Sequence, residues 1–197
     1  LLTDVQDAGS LTKGFVDNAS SGTNYLYDAN GNLTQDIHKT MVFTYNHHNL
    51  PNSLVKDGIS NVTWTYMADG EKLTKIGPGG TRNYVSGIEY LGANTDAIYH
   101  AEGRCMPNGS SWYYDYTLKD HLGDARVNFR AIGTAVTYLE DFHYYPFGMA
   151  MEGLGAILST GNDYRYNGKE LNEDYSLNWY DYGKRWYDPA LGRFVGV

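Results

Sequence analysis

The chain has one cysteine, Cys105, and five prolines among 197 residues. A single thiol excludes an internal disulfide and any zinc site built on paired cysteines. Lysine and arginine number 15 against 23 acidic residues, a formal charge of −8 at neutral pH. A chain this acidic is poorly suited to gripping nucleic-acid phosphates. Charged residues are only 19 % and hydrophobic ones 42 %, which is not the composition of a disordered chain. No stretch approaches the ~20 apolar residues of a membrane helix. No charged start followed by an apolar run marks a signal peptide. No long segment keeps a helical apolar period; the nearest candidate is 150–158, where Gly153 and Gly155 argue for a loop. A phosphate-cradling glycine loop, a dinucleotide fingerprint and a Gly-x-Ser-x-Gly elbow are all missing.

Tyrosine and glycine are abundant, at 19 and 23 residues. Tyrosine suits pleated, half-buried surfaces and glycine suits turns, so the expected class is all-β. Five Asn-Gly or Asp-Gly pairs punctuate the chain, at Asn30-Gly31, Asp57-Gly58, Asp69-Gly70, Asn108-Gly109 and Asn167-Gly168. Such pairs tolerate the two positive φ angles of a type I′ hairpin turn. Alternating runs lie between them, at 62–66, 112–118 and, in outline, 135–145.

A repeat underlies this punctuation. Tyr27-Asp28-Ala29-Asn30-Gly31-Asn32-Leu33 recurs as Tyr45-Asn46-His47-His48-Asn49-Leu50 and as Tyr66-Met67-Ala68-Asp69-Gly70-Glu71-Lys72-Leu73. A spacing of about 20 residues suits one hairpin per unit, which must stack on neighbours to bury its apolar face. The expected architecture is an extended, curled antiparallel sheet. From about 111 the repeat loosens and three denser strings appear. They are Lys119-Asp120-His121-Leu122-Gly123-Asp124, then Tyr144-Tyr145-Pro146-Phe147-Gly148, and lastly a long string. That string opens with Tyr164-Arg165-Tyr166-Asn167-Gly168 and runs through Tyr180-Asp181-Tyr182-Gly183 and Arg185 to Asp188-Pro189-Ala190-Leu191-Gly192-Arg193-Phe194.

Several groups invite chemistry, and each has a structural reading beside it. Asp181 and Asp188 could pair as carboxylates, yet seven residues along one strand would set them on opposite faces. Asp188-Pro189 reads as a capped turn. Lys119, Asp120, His121 and Asp124 could be an acid–base cluster; the expected role is a turn bonded by Asp120 and His121. His47 and His48 on a strand would point to opposite faces and could not easily share a metal ion; they fall in the repeat's turn, and solvated turn residues are the expected reading. The segment 28–32 echoes a calcium loop without its full acidic pattern. The tyrosines could stack on sugars, but cross-strand packing with hydroxyls bonding the next hairpin is the expected use. Cys105 reads as an unpaired, half-buried thiol.

The Tyr27 unit and the three ordered strings resemble the RHS/YD-repeat family and its repeat-associated core, in the form common in Bacteroidetes-type bacteria. The resemblance covers nearly the whole chain and divides it into hairpin repeats over 1–118 and core over 119–197. It implies a β-shell whose C-terminal core closes around or displays a variable effector, often a toxin, in a secreted or cell-surface protein. The expected partners are the rest of that shell and a C-terminal effector segment, with surface glycans as an alternative and no nucleic acid. No cofactor, metal or catalytic role is expected. In the family, self-cleavage uses an Asp-Pro after the Gly-Arg-aromatic string; here Gly192-Arg193-Phe194 is followed only by residues to Val197, so autoproteolysis would belong to a longer parent chain. The chain starts without Met and stops in mid-motif, which reads as a fragment.

Overall fold

A computed structural model of the chain describes residues 1–9, 14–18, 21–151, 153–154 and 161–196. Much of the loop expected over 150–158 lies outside the described residues. Among the described residues seventeen strands form two antiparallel sheets. The first six are β1 (Tyr25–Tyr27), β2 (Leu33–Asp36), β3 (Met41–Tyr45), β4 (Pro51–Lys56), β5 (Ser60–Tyr66) and β6 (Lys72–Gly77). Then come β7 (Gly80–Val85), β8 (Ile88–Leu91), β9 (Asn94–His100), β10 (Gly103–Asn108), β11 (Ser111–Lys119), β12 (Ala125–Ile132) and β13 (Ala135–Asp141). These thirteen pair strictly with their sequence neighbours in one sheet that curls without closing. The second sheet holds β14 (Glu170–Asn172), β15 (Trp179–Asp181), β16 (Trp186–Asp188) and β17 (Arg193–Phe194). The large sheet does not change character where the tyrosine repeat fades, because β11 to β13 continue the same meander.

Alternation explains how the curled sheet acquires an inside. On β3, Met41 and Phe43 are buried while Val42 and Thr44 face solvent. An antiparallel sheet with one apolar face must be covered. The small C-terminal sheet is the cover. Phe43 stacks on Trp179 with centroids 4.4 Å apart, and Trp64 meets Trp186 edge-on at 4.9 Å. Tyr25, Leu33, Leu50, Leu54 and Val62 join Leu177 and Val195 in the same buried cluster. The Leu33 N–H also donates to the Val195 carbonyl at 2.8 Å, tying the end of the chain to the start of β2.

The turns differ from the type I′ expectation at four of the five pairs. Asp57-Gly58 does lie at the centre of a turn, closed from the Ile59 N–H to Lys56 O at 3.1 Å, with positive φ at both residues. Asn167-Gly168 has both positive φ angles too, but its turn, closed from the Gly168 N–H to Arg165 O at 3.2 Å, centres on Tyr166-Asn167. At Asn30-Gly31, Asp69-Gly70 and Asn108-Gly109 only the glycine is left-handed. The reason for the first two is a longer loop. The Asp28 N–H donates to Asn32 O at 3.0 Å, and the Gly31 N–H returns to Asp28 O at 3.1 Å. That is a type I turn closed by a left-handed residue as a bulge, and only the bulge position needs positive φ. Register shifts at Tyr27, Tyr45 and Tyr66 mark the bulges.

The packing ranks two neighbouring positions. Leu54→Ala should lower stability by about 2–5 kcal/mol, because Leu54 is wholly buried in the shared cluster. Val42→Ala, on the solvent face, should stay within about 0.5 kcal/mol. Urea unfolding of both variants checks the ranking.

Candidate functional site

Among the described residues six turns share one hydrogen-bond pattern, and they organise the conspicuous residues. They begin at Asp28, Asn46, Met67, Asp120, Tyr145 and Arg165. In each, the first N–H donates to the carbonyl four residues on, and the fourth N–H donates back to the first carbonyl, at 2.8–3.2 Å. The fourth residue is left-handed every time: Gly31, Asn49, Gly70, Gly123, Gly148 and Gly168. Where the first residue is Asp28, Asn46 or Asp120, its side-chain oxygen also accepts the N–H groups two and four residues on. Those bonds outweigh the burial that pulls Asp28 upward and hold its carboxyl below the usual range. His121 makes none of the turn's bonds and is exposed, contrary to expectation.

The residue before each turn is Tyr27, Tyr45, Tyr66, Lys119, Tyr144 and Tyr164. Three of these tyrosines obey a further rule. The Tyr45 hydroxyl donates to Leu33 O at 2.7 Å, Tyr66 to Pro51 O at 2.7 Å, and Tyr144 to Ala125 O at 3.0 Å. Each acceptor lies five residues past the start of the preceding turn in the series. The tyrosines therefore fasten the preceding hairpin, where the sequence alone pointed to the next. Tyr164 departs from the rule and donates to Glu89 at 2.8 Å. The second and third strings are thus variants of the repeat turn. The signal that unites them is Tyr followed four residues later by Gly, hidden because the residue after Tyr changes from Asp28 to Tyr145 or Arg165.

The three strings, far apart in sequence, converge. Asp124, 2 % exposed, accepts the Asn167 N–H at 2.7 Å and its side-chain amide at 3.0 Å. The Ala125 N–H donates to Arg165 O at 3.0 Å. Tyr182, whose hydroxyl burial pushes up to about 12, donates to Asn167 at 2.7 Å. Successive carbonyls of Pro146, Phe147 and Gly148 accept the hydroxyls of Tyr166, Tyr187 and Tyr180 at 3.3, 2.9 and 3.2 Å. A Cβ on Gly148 would overlap the Tyr166 ring, and one on Gly192 would sit 3.1 Å from the Phe147 ring. Arg185 lies 3.9 Å over Phe194, and Arg193 faces Asp188 across the β16–β17 ladder.

Asp181 and Asp188 lie on adjacent strands of one hairpin, not along a single strand as expected, and each has its own partners. Asp181 accepts Lys72 at 2.9 Å and the Gly183 N–H at 2.7 Å. Asp188 accepts Lys39 and Trp179 Nε1 at 2.8 Å, and caps the turn after Pro189 through the Ala190 N–H at 2.8 Å. Neither has a carboxylate for a partner, so they form no proton-sharing dyad.

A polar seam joins the sheets beyond the aromatic cluster. Buried Lys72 donates to Glu170 and Asp181. Burial opposes its charge, but the two carboxylates win and hold it above the usual lysine range. Tyr84 donates to Glu170 at 2.8 Å, and Arg82 to Glu89 at 2.5 Å. Burial, then the Glu170 charge, pushes Glu89 up against the pull of Arg82. Asp163 is raised for the same two reasons. Sequence reasoning missed this seam, and also His38, which is buried between Asp4 at 3.4 Å and Asp17 at 3.2 Å.

His47 and His48 sit in the second turn, as expected, with their rings 4.0 Å apart. Among the described residues no group of three or more His, Cys, Asp or Glu could hold a metal ion, and no helix is long and apolar enough to cross a membrane. Cys105 is half-buried on β10, facing Tyr114 and Ile98. Trp112, Tyr114 and Tyr138 present 39, 47 and 40 % of their surface to solvent.

No family model matches the chain. Over 82 residues, 42 % of the chain, it is 33 % identical to salivary gland surface protein 1 of Aedes aegypti, and spans 2 % of that protein. Among solved structures it is similar to the TcdB2-TccC3 crystal structure, with a TM-score of 0.68 and 19 % identity over 87 % of this chain and 10 % of that one. The Photorhabdus luminescens Tc holotoxin pore matches with a TM-score of 0.68 at 19 % identity, over 87 % of this chain and 9 % of that one. TcdB2-TccC3 without its hypervariable C-terminal region matches at 0.66 and 19 %, over 86 % and 9 %. The chain therefore spans a tenth or less of the length of each of these proteins. At this identity the likeness is one of fold, and the fold is RHS-like.

The seam has a pH signature. A carboxyl with a raised folded pKa favours folding fully below its unfolded pKa and loses that contribution as pH climbs through the folded value. Glu89→Gln has no proton to lose. Its stability relative to the native chain should rise between about pH 4 and about pH 8, as urea midpoints at both ends would show.

Proposed function

We propose that the chain is a wall segment of an RHS/YD-repeat shell of toxin type, whose three motif strings form a structural hub beside a C-terminal effector segment. The observation that carries the reading is the convergence of the strings. Asp124 accepts from Asn167, the 146–148 carbonyls accept three tyrosine hydroxyls of the last string, and each string holds one turn of the hydrogen-bonded series. The likeness of fold to TcdB2-TccC3 over 87 % of the chain supports it. So does the hypervariable C-terminal region of TcdB2-TccC3, which one of the matching structures lacks. In this reading the chain is scaffold, not enzyme. Asp181 and Asp188 are occupied by lysines and backbone N–H groups and do structural work. A secreted or cell-surface setting goes with it, as in a toxin complex.

The test is protease protection of the protein expressed in its full natural reading frame. Enclosure predicts that sequence downstream of 197 resists limited trypsin in the whole protein and is cut readily once expressed alone. Digestion at equal rates in both contexts, or a frame with no downstream segment, overturns the reading.

A further inference from the structure

The chain contains three Asn-Gly pairs, at Asn30, Asn108 and Asn167. In such a pair the glycine backbone nitrogen can attack the asparagine Cγ. The N–Cγ bond forms and the Cγ–Nδ2 bond breaks. Nδ2 departs as ammonia, carrying the proton released from the glycine N–H. Solvent water then opens the succinimide ring at either carbonyl, leaving aspartate or isoaspartate. Glycine favours the attack because it has no Cβ to crowd the approach. The reaction needs a glycine N–H that is not engaged and a side chain free to swing onto it.

Two pairs fail these conditions. The Gly31 N–H is engaged by Asp28 O at 3.1 Å, and the Asn30 amide is held by Asn49 at 3.0 Å. The Gly168 N–H is engaged by Arg165 O at 3.2 Å. The Asn167 side chain donates to Leu122 O and Asp124 and accepts from Tyr182. Both pairs belong to the turn series that carries the fold.

Asn108 is different. It lies at the tip of the β10–β11 hairpin, on the sheet edge opposite that series, and residues 107–112 are all exposed. Gly109 is left-handed at φ 59, and a Cβ built there meets nothing within 4 Å. Among the described residues no hydrogen bond holds the Asn108 side chain, and no turn bond engages the Gly109 N–H. Only the last rung, Asn108 opposite Ser111, restrains the backbone, and terminal rungs open at little cost.

We propose that Asn108 is a site of spontaneous deamidation, and that the fold protects Asn30 and Asn167 from the same reaction. The product carries one more negative charge at the hairpin tip and, as isoaspartate, one extra backbone methylene. The inference is independent of the proposed shell function.

The test is peptide mapping by mass spectrometry of the folded chain aged at neutral pH, beside a sample aged in denaturing urea. Deamidation reads as a gain of one mass unit, and fragmentation separates isoaspartate from aspartate. In the folded chain Asn108 should react within a few-fold of its rate in urea, while Asn30 and Asn167 slow by at least about tenfold, because they react only from opened states. Asn108→Gln should abolish the fast product in the folded chain. Protection of Asn108 equal to that of the other two, rates in the folded chain equal to those in urea at all three sites, or a fast product that survives Asn108→Gln would each overturn the proposal.

Discussion

The structure depends on a five-residue turn and the tyrosine in front of it. The turn needs a left-handed residue at its fourth position, which glycine or asparagine supplies. It leaves the preceding tyrosine on the inner side of a bulge, within reach of the hairpin before it. The hydroxyl then caps a carbonyl just past the earlier turn, at Leu33, Pro51 and Ala125. A buried carbonyl left unmatched costs about 1–3 kcal/mol, so each cap both satisfies a group and sets the distance between neighbouring hairpins. The rule holds at Tyr45 and Tyr66 in the repeats and again at Tyr144 in the second of the denser strings. What looks in sequence like a repeat region followed by separate motifs is one series of turns.

Lacing aligns hairpins but does not cover their inner face. That work falls to the C-terminal sheet, which meets the large sheet in two ways. At the first strands the contact is apolar, with Trp179 on Phe43 and Trp186 on Trp64. Further along it is ionic, with Lys72, Glu170, Asp181, Glu89 and Arg82 drawn into a half-dry seam. The apolar part supplies stabilisation that is not directional. The ionic part adds little net stability for its cost of desolvation, but a mismatched partner would leave a charge stranded. It therefore fixes where the small sheet sits, as a role in register would require.

Much of this was legible in the sequence. Tyrosine and glycine content, the turn pairs, the repeat and the alternating runs at 62–66 and 112–118 all pointed to an open hairpin sheet. The type of turn was less legible, because Asn30-Gly31 reads as a two-residue loop unless Asp28 is counted as its first residue. Tyr144 and Tyr164 escaped the repeat because turn chemistry tolerates Tyr145 and Arg165 where Asp28 stands, provided glycine follows at the right offset. The seam could not be read at all. Lys72 meets Glu170 across 98 positions, and nothing local to either residue announces the other. Asp181 and Asp188 misled for a related reason: their spacing suggests one strand, and an intervening hairpin changes which faces they occupy.

The most direct test of the laced series is Tyr144→Phe, compared with Tyr45→Phe and Tyr66→Phe by urea unfolding. If the turns form one such series, all three should lose about 1–3 kcal/mol, since each strands a carbonyl while keeping the ring. A neutral Tyr144→Phe beside two costly variants would contradict it, and would mean that the series ends with the repeats.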